Sequence, residues 1–182
     1  MKHDYDAQHL NIATFAQASG AWNGEAPLAQ FERLMAETHG QGGEMVVRYS
    51  VQGAMRADGA GVDEAWLHLA AQAVLPMTCQ RCLGPVEEPV AFERDFRFVA
   101  TEELAAVEDE ESEEDVLVLS RDFNVLELIE DELLMELPVA PKHPVCPVPV
   151  KLQVADPNFV DAPAEKPNPF AVLQQLKKKG SP

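Results

Sequence analysis

The sequence predicts an α+β fold: an antiparallel β-sheet in meander order, flanked by α-helices, with a Cys-x-x-Cys pair at a hairpin tip. Three observations carry this. Leu67, Leu69, Ala71, Ala73, Leu75 and Met77 share one parity, which gives a long strand with one apolar face. Val90, Phe92, Phe96 and Phe98 repeat the pattern, with Arg94 as an exception, and Cys79 to Pro85 sits between the two runs. Val125, Leu128, Ile129, Leu133 and Leu137 instead follow the helical period.

The elements follow in chain order. Residues 10–40 read as helical in part. Leu10, Phe15 and Ala18 share a face and Gly20 ends the run. Leu28, Phe31, Leu34 and Met35 then predict a second short amphipathic helix, which Gly40, Gly42 and Gly43 break. Val47 to Gln52 alternates as a half-buried strand, and Asp58 to Gly61 is a turn. Short links between three sequential strands favour a meander. The acidic run from Glu102 to Asp115 reads as a solvated, mobile loop, and as a docking surface for a basic partner in a sharper reading. Val116 to Leu119 forms a short strand. Asn124 and Glu127 have capping-box spacing at the start of a helix that Pro138 stops at Leu137. Glu127, Glu130, Asp131, Glu132 and Glu136 read as its solvated face rather than as acid/base pairs.

Beyond Pro138 the chain is stiff and extended, with further prolines at 141, 144, 147 and 149. Residues 1–150 are expected to be one domain. The remainder, 151–182, is expected to be a linker and a basic tail helix capped by Asn168, with Pro169 at its first position. Phe170, Leu173 and Leu176 line one side of that helix, and Lys177, Lys178 and Lys179 sit at its negative end.

The chain has 182 residues and a net charge of −17, which repels free nucleic acid and anionic membranes and favours basic partners. Any contact with RNA therefore needs a local basic patch. The first residues lack the apolar core of an export signal, and the apolar stretch Leu67–Met77 is too short to span a bilayer. Three cysteines make an odd set, against a disulfide framework, so a reduced, cytoplasmic protein is expected.

Cys79 and Cys82 form one ligand pair, and His143 and Cys146 a second with the same spacing. Three readings compete. A closed Cys₃His set would hold structural zinc. A redox pair would use Cys79 and Cys82, with Arg81 lowering a thiol pKa, although Gly84-Pro85 makes a turn where redox motifs open a helix. Metal-free thiols would simply pack together. His68 sits on a strand with nothing nearby in sequence to make it a ligand, and His3, His9 and His39 are equally uninformative.

Cys79-Gln80-Arg81-Cys82, the run Leu126–Val139 into Pro141-Lys142-His143 and Cys146, and Lys166-Pro167-Asn168-Pro169-Phe170-Ala171-Val172-Leu173 together resemble the bacterial YceD family. The order of the motifs matches as well. The resemblance implies a non-enzymatic role in accumulation of 23S ribosomal RNA and assembly of the large subunit. The expected partners are 23S rRNA or a pre-50S particle, touched through Lys177–Lys179, and, as the net charge of −17 suggests, a basic large-subunit ribosomal protein held by the acidic chain. Phe170, Leu173 and Leu176 would dock on protein. The competing expectation is an enzyme, either a thiol oxidoreductase or an RNA-processing activity, working through Cys79 and Cys82.

Overall fold

The computed structural model describes residues 5–57, 61–110, 112 and 114–149. The expected turn at 58–61 falls mostly outside them. So do the linker and the tail, including Asn168, Pro169, Phe170, Leu173, Leu176 and Lys177–Lys179.

The described chain runs α1 (Ile12–Gln17), β1 (Ala21–Pro27), a 3-10 turn (Leu28–Gln30), α2 (Glu32–Glu37), β2 (Val46–Ala57), β3 (Asp63–Thr78), β4 (Pro85–Val99), α3 (Glu102–Asp109), β5 (Asp115–Val118) and α4 (Val125–Met135). The five strands form one sheet in sequence order. β1 to β4 are the expected antiparallel meander, but β5 pairs parallel with β4, so the sheet is mixed. The chain reaches β5 by way of α3, and such a crossover permits parallel pairing. Strand β1 was not expected. Its sequence, Ala-Trp-Asn-Gly-Glu-Ala-Pro, is poor in β-formers, and it holds its place as an edge strand, where Pro27 is tolerated.

One sheet face carries the main core. Val47, Val51, Leu67, Leu69, Leu75, Val90, Phe92, Phe96 and Phe98 point into it, against Ile12 and Phe15 of α1 and Val125, Ile129 and Leu133 of α4. Helix α1 lies close on β2 because residue 53 is glycine. A Cβ there would stand 2.6 Å from Phe15 Cδ1 and 3.1 Å from Ala16 Cα. Phe15 then packs edge-on against Trp22 and Tyr5, with ring centroids 5.1 and 4.8 Å away.

The acidic run is not a loop over its first half. Thr101 caps α3, its Oγ1 accepting from Leu104 N at 3.3 Å, and Glu102 and Glu103 sit in the first turn, where the helix dipole favours negative charge. Arg97 holds the helix from the sheet, donating to Glu64 at 3.1 Å, to Glu108 at 2.5 Å and to Ser112 Oγ at 2.8 Å. Ala105 completes a small second core with Val99 and Val116. Charge density alone suggested disorder; one nearly buried arginine and a small apolar contact reverse that.

The polar side of α4 is also not simply solvated. Glu130 and Glu132 are buried. Glu130 Oε1 accepts from the backbone N–H groups of Arg33 (2.7 Å) and Leu34 (3.2 Å), and Oε2 accepts from Arg33 Nε at 3.0 Å. It thereby caps α2, whose own N-cap residue, Phe31, has no side-chain acceptor. Glu132 Oε2 lies 3.0 Å from Arg94 Nη1, an ion pair without hydrogen-bond alignment, and Arg94 Nη2 donates to Glu136 at 3.3 Å. Arg94, the polar exception in the β4 pattern, is the sheet's tie to α4. Burial pushes the Glu132 carboxyl above its usual range, and Arg94 offsets this only in part. The α4 N-terminus forms as expected: Asn124 Oδ1 accepts from Leu126 N and Glu127 N at 3.1 and 3.3 Å. The α-helix ends at Met135, with Glu136 as its C-cap, slightly before the expected Leu137.

Replacing Glu130 by alanine leaves two α2 N–H groups and Arg33 without their acceptor. The expected loss is about 2–3 kcal/mol of unfolding free energy, read from urea titration. A change below about 0.5 kcal/mol would show that water replaces the carboxylate.

Candidate metal centre

The β3–β4 ladder runs to Thr78↔Pro85, which places residues 79–84 at the hairpin tip. The tip is closed by Cys79 N donating to Gly84 O and by Leu83 N donating to Cys79 O, both at 2.8 Å. Leu83 takes a left-handed conformation with φ 58°. This turn points Cys79 inward and leaves Arg81 and Leu83 exposed.

The proline-dense segment after α4 returns to this tip. Gln80 N donates to Pro141 O at 2.8 Å, and Lys142 N donates to Glu88 Oε1 at 3.1 Å. These two bonds put His143 and Cys146 against the cysteine pair. His143 Nδ1 is 3.4 Å from Cys82 Sγ, and the ligand atoms of Cys79, Cys82, His143 and Cys146 all lie within 4.8 Å of one another. A tetrahedral zinc with bonds of about 2.0–2.3 Å has ligand-to-ligand edges of roughly 3.5–3.8 Å. The four atoms therefore need only a small contraction to close on one ion. Cys79 is fully buried, the other three are half-buried, and no two cysteines are joined.

The electrostatics also suit a cation. Burial alone would raise the Cys79 thiol. Backbone hydrogen bonds from Cys82, His143 and Arg81, with a further bond from the Cys82 side chain, outweigh it and bring the thiol down to about 5. Cys146 is pushed up, first by burial and then by the Cys82 and Cys79 sulfurs beside it. A thiolate at Cys79 thus opposes a second negative charge at Cys146, and a divalent ion removes that opposition. Soft sulfur donors with one imidazole match zinc better than magnesium or calcium. All four positions are protein, which suits a closed, structural site.

The structure brings together the four ligand candidates that the spacing suggested. It adds Pro141 and Glu88, whose bonds to the two halves leave no signature in composition or periodicity. His68 belongs to a different cluster, on the opposite sheet face. Its Nδ1 is 2.8 Å from Asp95 and its Nε2 is 3.2 Å from Glu93, while Arg56 bonds Asp95 and lies 4.4 Å over the Trp66 ring. No helix among the described residues is long and apolar enough to cross a membrane.

Cobalt(II) titration of the reduced protein should saturate at one equivalent and give the absorption of a tetrahedral thiolate site. Cys82→Ser should weaken that binding at least tenfold, and wild-type affinity should fall with acid, because protons compete for the sulfurs. An unchanged affinity in Cys82→Ser would remove the metal reading.

Comparison with known proteins points the same way as the motifs. A family model described as "Large ribosomal RNA subunit accumulation protein YceD" matches residues 67–177. That stretch begins inside β3 and takes in all four donors. A curated Haemophilus influenzae protein carrying the same description is 35% identical over 108 residues, covering 57% of this chain and 60% of that relative. The aligned part is thus less than two thirds of the relative's length. No solved structure matches the chain. The match over more than half of its length, including the hairpin, the donors and the segment beyond them, shows that the chain belongs to the YceD family.

Proposed function

We propose that this protein is a non-enzymatic factor for accumulation of large-subunit ribosomal RNA, acting during assembly of the large subunit through contact with the RNA or with a basic ribosomal protein. The carrying observation is the family match across the cysteine hairpin and the segment after α4. The relative's description names accumulation of the large ribosomal RNA, and the same role is proposed here. Two features support a binding module. The chain is strongly acidic, and its donor cluster is closed, with no position left for a substrate. We assign structural zinc to Cys79, Cys82, His143 and Cys146. Residues 1–150 are the folded domain and 151–182 a linker with a basic tail, and the setting is the cytoplasm.

A second reading, a thiol redox enzyme, draws on the lowered Cys79 thiol. Cys79→Ser separates the two. In a redox enzyme it leaves the fold intact and abolishes turnover. In a metal-stapled module it loosens the hairpin tip and lowers the thermal midpoint.

Deleting the gene should lower large-subunit rRNA relative to small-subunit rRNA, and the plasmid-borne chain should restore it. A ratio equal to the parent strain's would sink the proposal. A tagged pull-down at low and moderate salt, with and without ribonuclease, then distinguishes the contacts. Ribosomal partners lost on ribonuclease treatment mean RNA; one basic protein retained means protein.

A further inference from the structure

We infer that the hairpin tip at the metal centre is the surface through which the folded domain touches RNA, with Arg81 and Lys142 on phosphates and Leu83 against an unstacked base. This deepens the functional reading above and rests on it.

Most of the domain's positive charge is paired internally. Arg33, Arg48, Arg56, Arg94 and Arg97 each hold at least one carboxylate of the domain. Their charge is spent within the fold, and the surface they leave is acidic. Among the described residues the cationic side chains with no carboxylate within 4.0 Å of their charged nitrogens are Arg81, Arg121 and Lys142, the last binding Glu88 through its backbone N–H alone. Two of these three occur together. Arg81 precedes Cys82, Lys142 precedes His143, and the ligand atoms of Cys82 and His143 are 3.4 Å apart. Both cations are exposed. A polyanion is repelled by the rest of the domain and meets least opposition here.

Leu83 adds a second, independent observation. It is 76% exposed and holds φ 58°, a left-handed conformation that is unfavourable for leucine and free of strain for glycine. Leu83 belongs to neither hydrophobic core of the domain. Strain together with apolar exposure at a loop tip points to a role outside the fold. Val145, 84% exposed, is a second apolar side chain turned to solvent, next to Cys146 in the other half of the donor set. Apolar side chains flanked by cations, on a tip held rigid, suit the faces and backbone of single-stranded RNA.

The test uses the full metal-loaded chain and a short fluorescein-labelled single-stranded RNA, read by anisotropy across salt. Arg81→Gln with Lys142→Gln should weaken binding about tenfold or more, and should flatten the slope of log K against log salt by about 1.4, the value for two phosphate contacts on a single strand. Leu83→Gly should weaken binding about tenfold, the scale of one leucine's burial, and leave the thermal midpoint unchanged or raised. A purely structural leucine gives the opposite pattern: a lower midpoint with binding intact. Metal content is measured on every variant. If the double variant loses its metal, the two cations serve to balance the thiolates and the proposal is overturned. Unchanged RNA affinity overturns it as well, and so does a wild-type chain that ignores RNA yet retains a ribosomal protein after ribonuclease. Complementation keeps the two levels apart. Variants that restore rRNA accumulation fully overturn the tip contact and leave the functional reading standing, whereas deletion without an rRNA defect removes the reading itself.

Discussion

The register of β3 against β4 is the constraint on which both the core and the four-donor cluster depend. The ladder runs unbroken from Ala65↔Phe98 to Thr78↔Pro85. Its alternation puts Leu67, Leu69 and Leu75 on the same face as Phe92, Phe96 and Phe98. A slip of one residue would turn one of these sets to solvent. It would also reshape the tip, because the turn that buries Cys79 hangs directly from the last pair. Hydrophobic burial over the whole strand length therefore fixes the position of a few sulfur atoms at its end. The site needs no separate scaffold.

Helix α4 joins this hairpin to the rest of the domain through charge as well as packing. Glu130 reaches one way, to the N-terminus of α2, and Glu132 the other, to Arg94 of β4. Neither is cheap to bury, and each is tolerated because a partner on another element meets it. Glu130 is the better satisfied, with three donors at 2.7 to 3.2 Å. Together they set the orientation of α4, and hence the direction in which the chain leaves it toward Pro141 and the donors.

Much of this was legible in the sequence, and the failures have physical causes. The long strands, the position of Asn124 as a cap and the grouping of four donors follow from local periodicity and spacing. Strand β1 was hidden because an edge strand is stabilised by its neighbour more than by its own residues. Helix α3 was hidden because a run of carboxylates reads as disorder unless the counter-charge is seen, and Arg97 approaches it from the sheet. Glu130 was read as solvated because its donors lie on residues 96 and 97 positions away in the chain. Period and composition are local signals, and partners brought in by the fold are invisible to them. The family match reaches residue 177 and so takes in the tail motif from Asn168 to Lys177, which lies outside the described residues.

The separation of the two donor halves decides what a metal ion bound by them would do. Cys82 and His143 are 61 residues apart, and closing a loop of that length in an unfolded chain is entropically unfavourable by several kcal/mol. In the folded chain that closure already exists. The sheet, α4 and the bonds Gln80–Pro141 and Lys142–Glu88 hold the halves together, and the prolines limit what the segment loses on being fixed. Small zinc modules fold around their ion because they have little else. This domain has a core of its own, so an ion held by the four donors would act locally, joining the segment after α4 to the hairpin tip. The part of the molecule that such an ion would make rigid is the part that carries Arg81, Leu83 and Lys142. Rigidity at that surface would lower the entropy lost when a partner binds, and on the proposed reading a structural metal would then serve recognition without any part in chemistry.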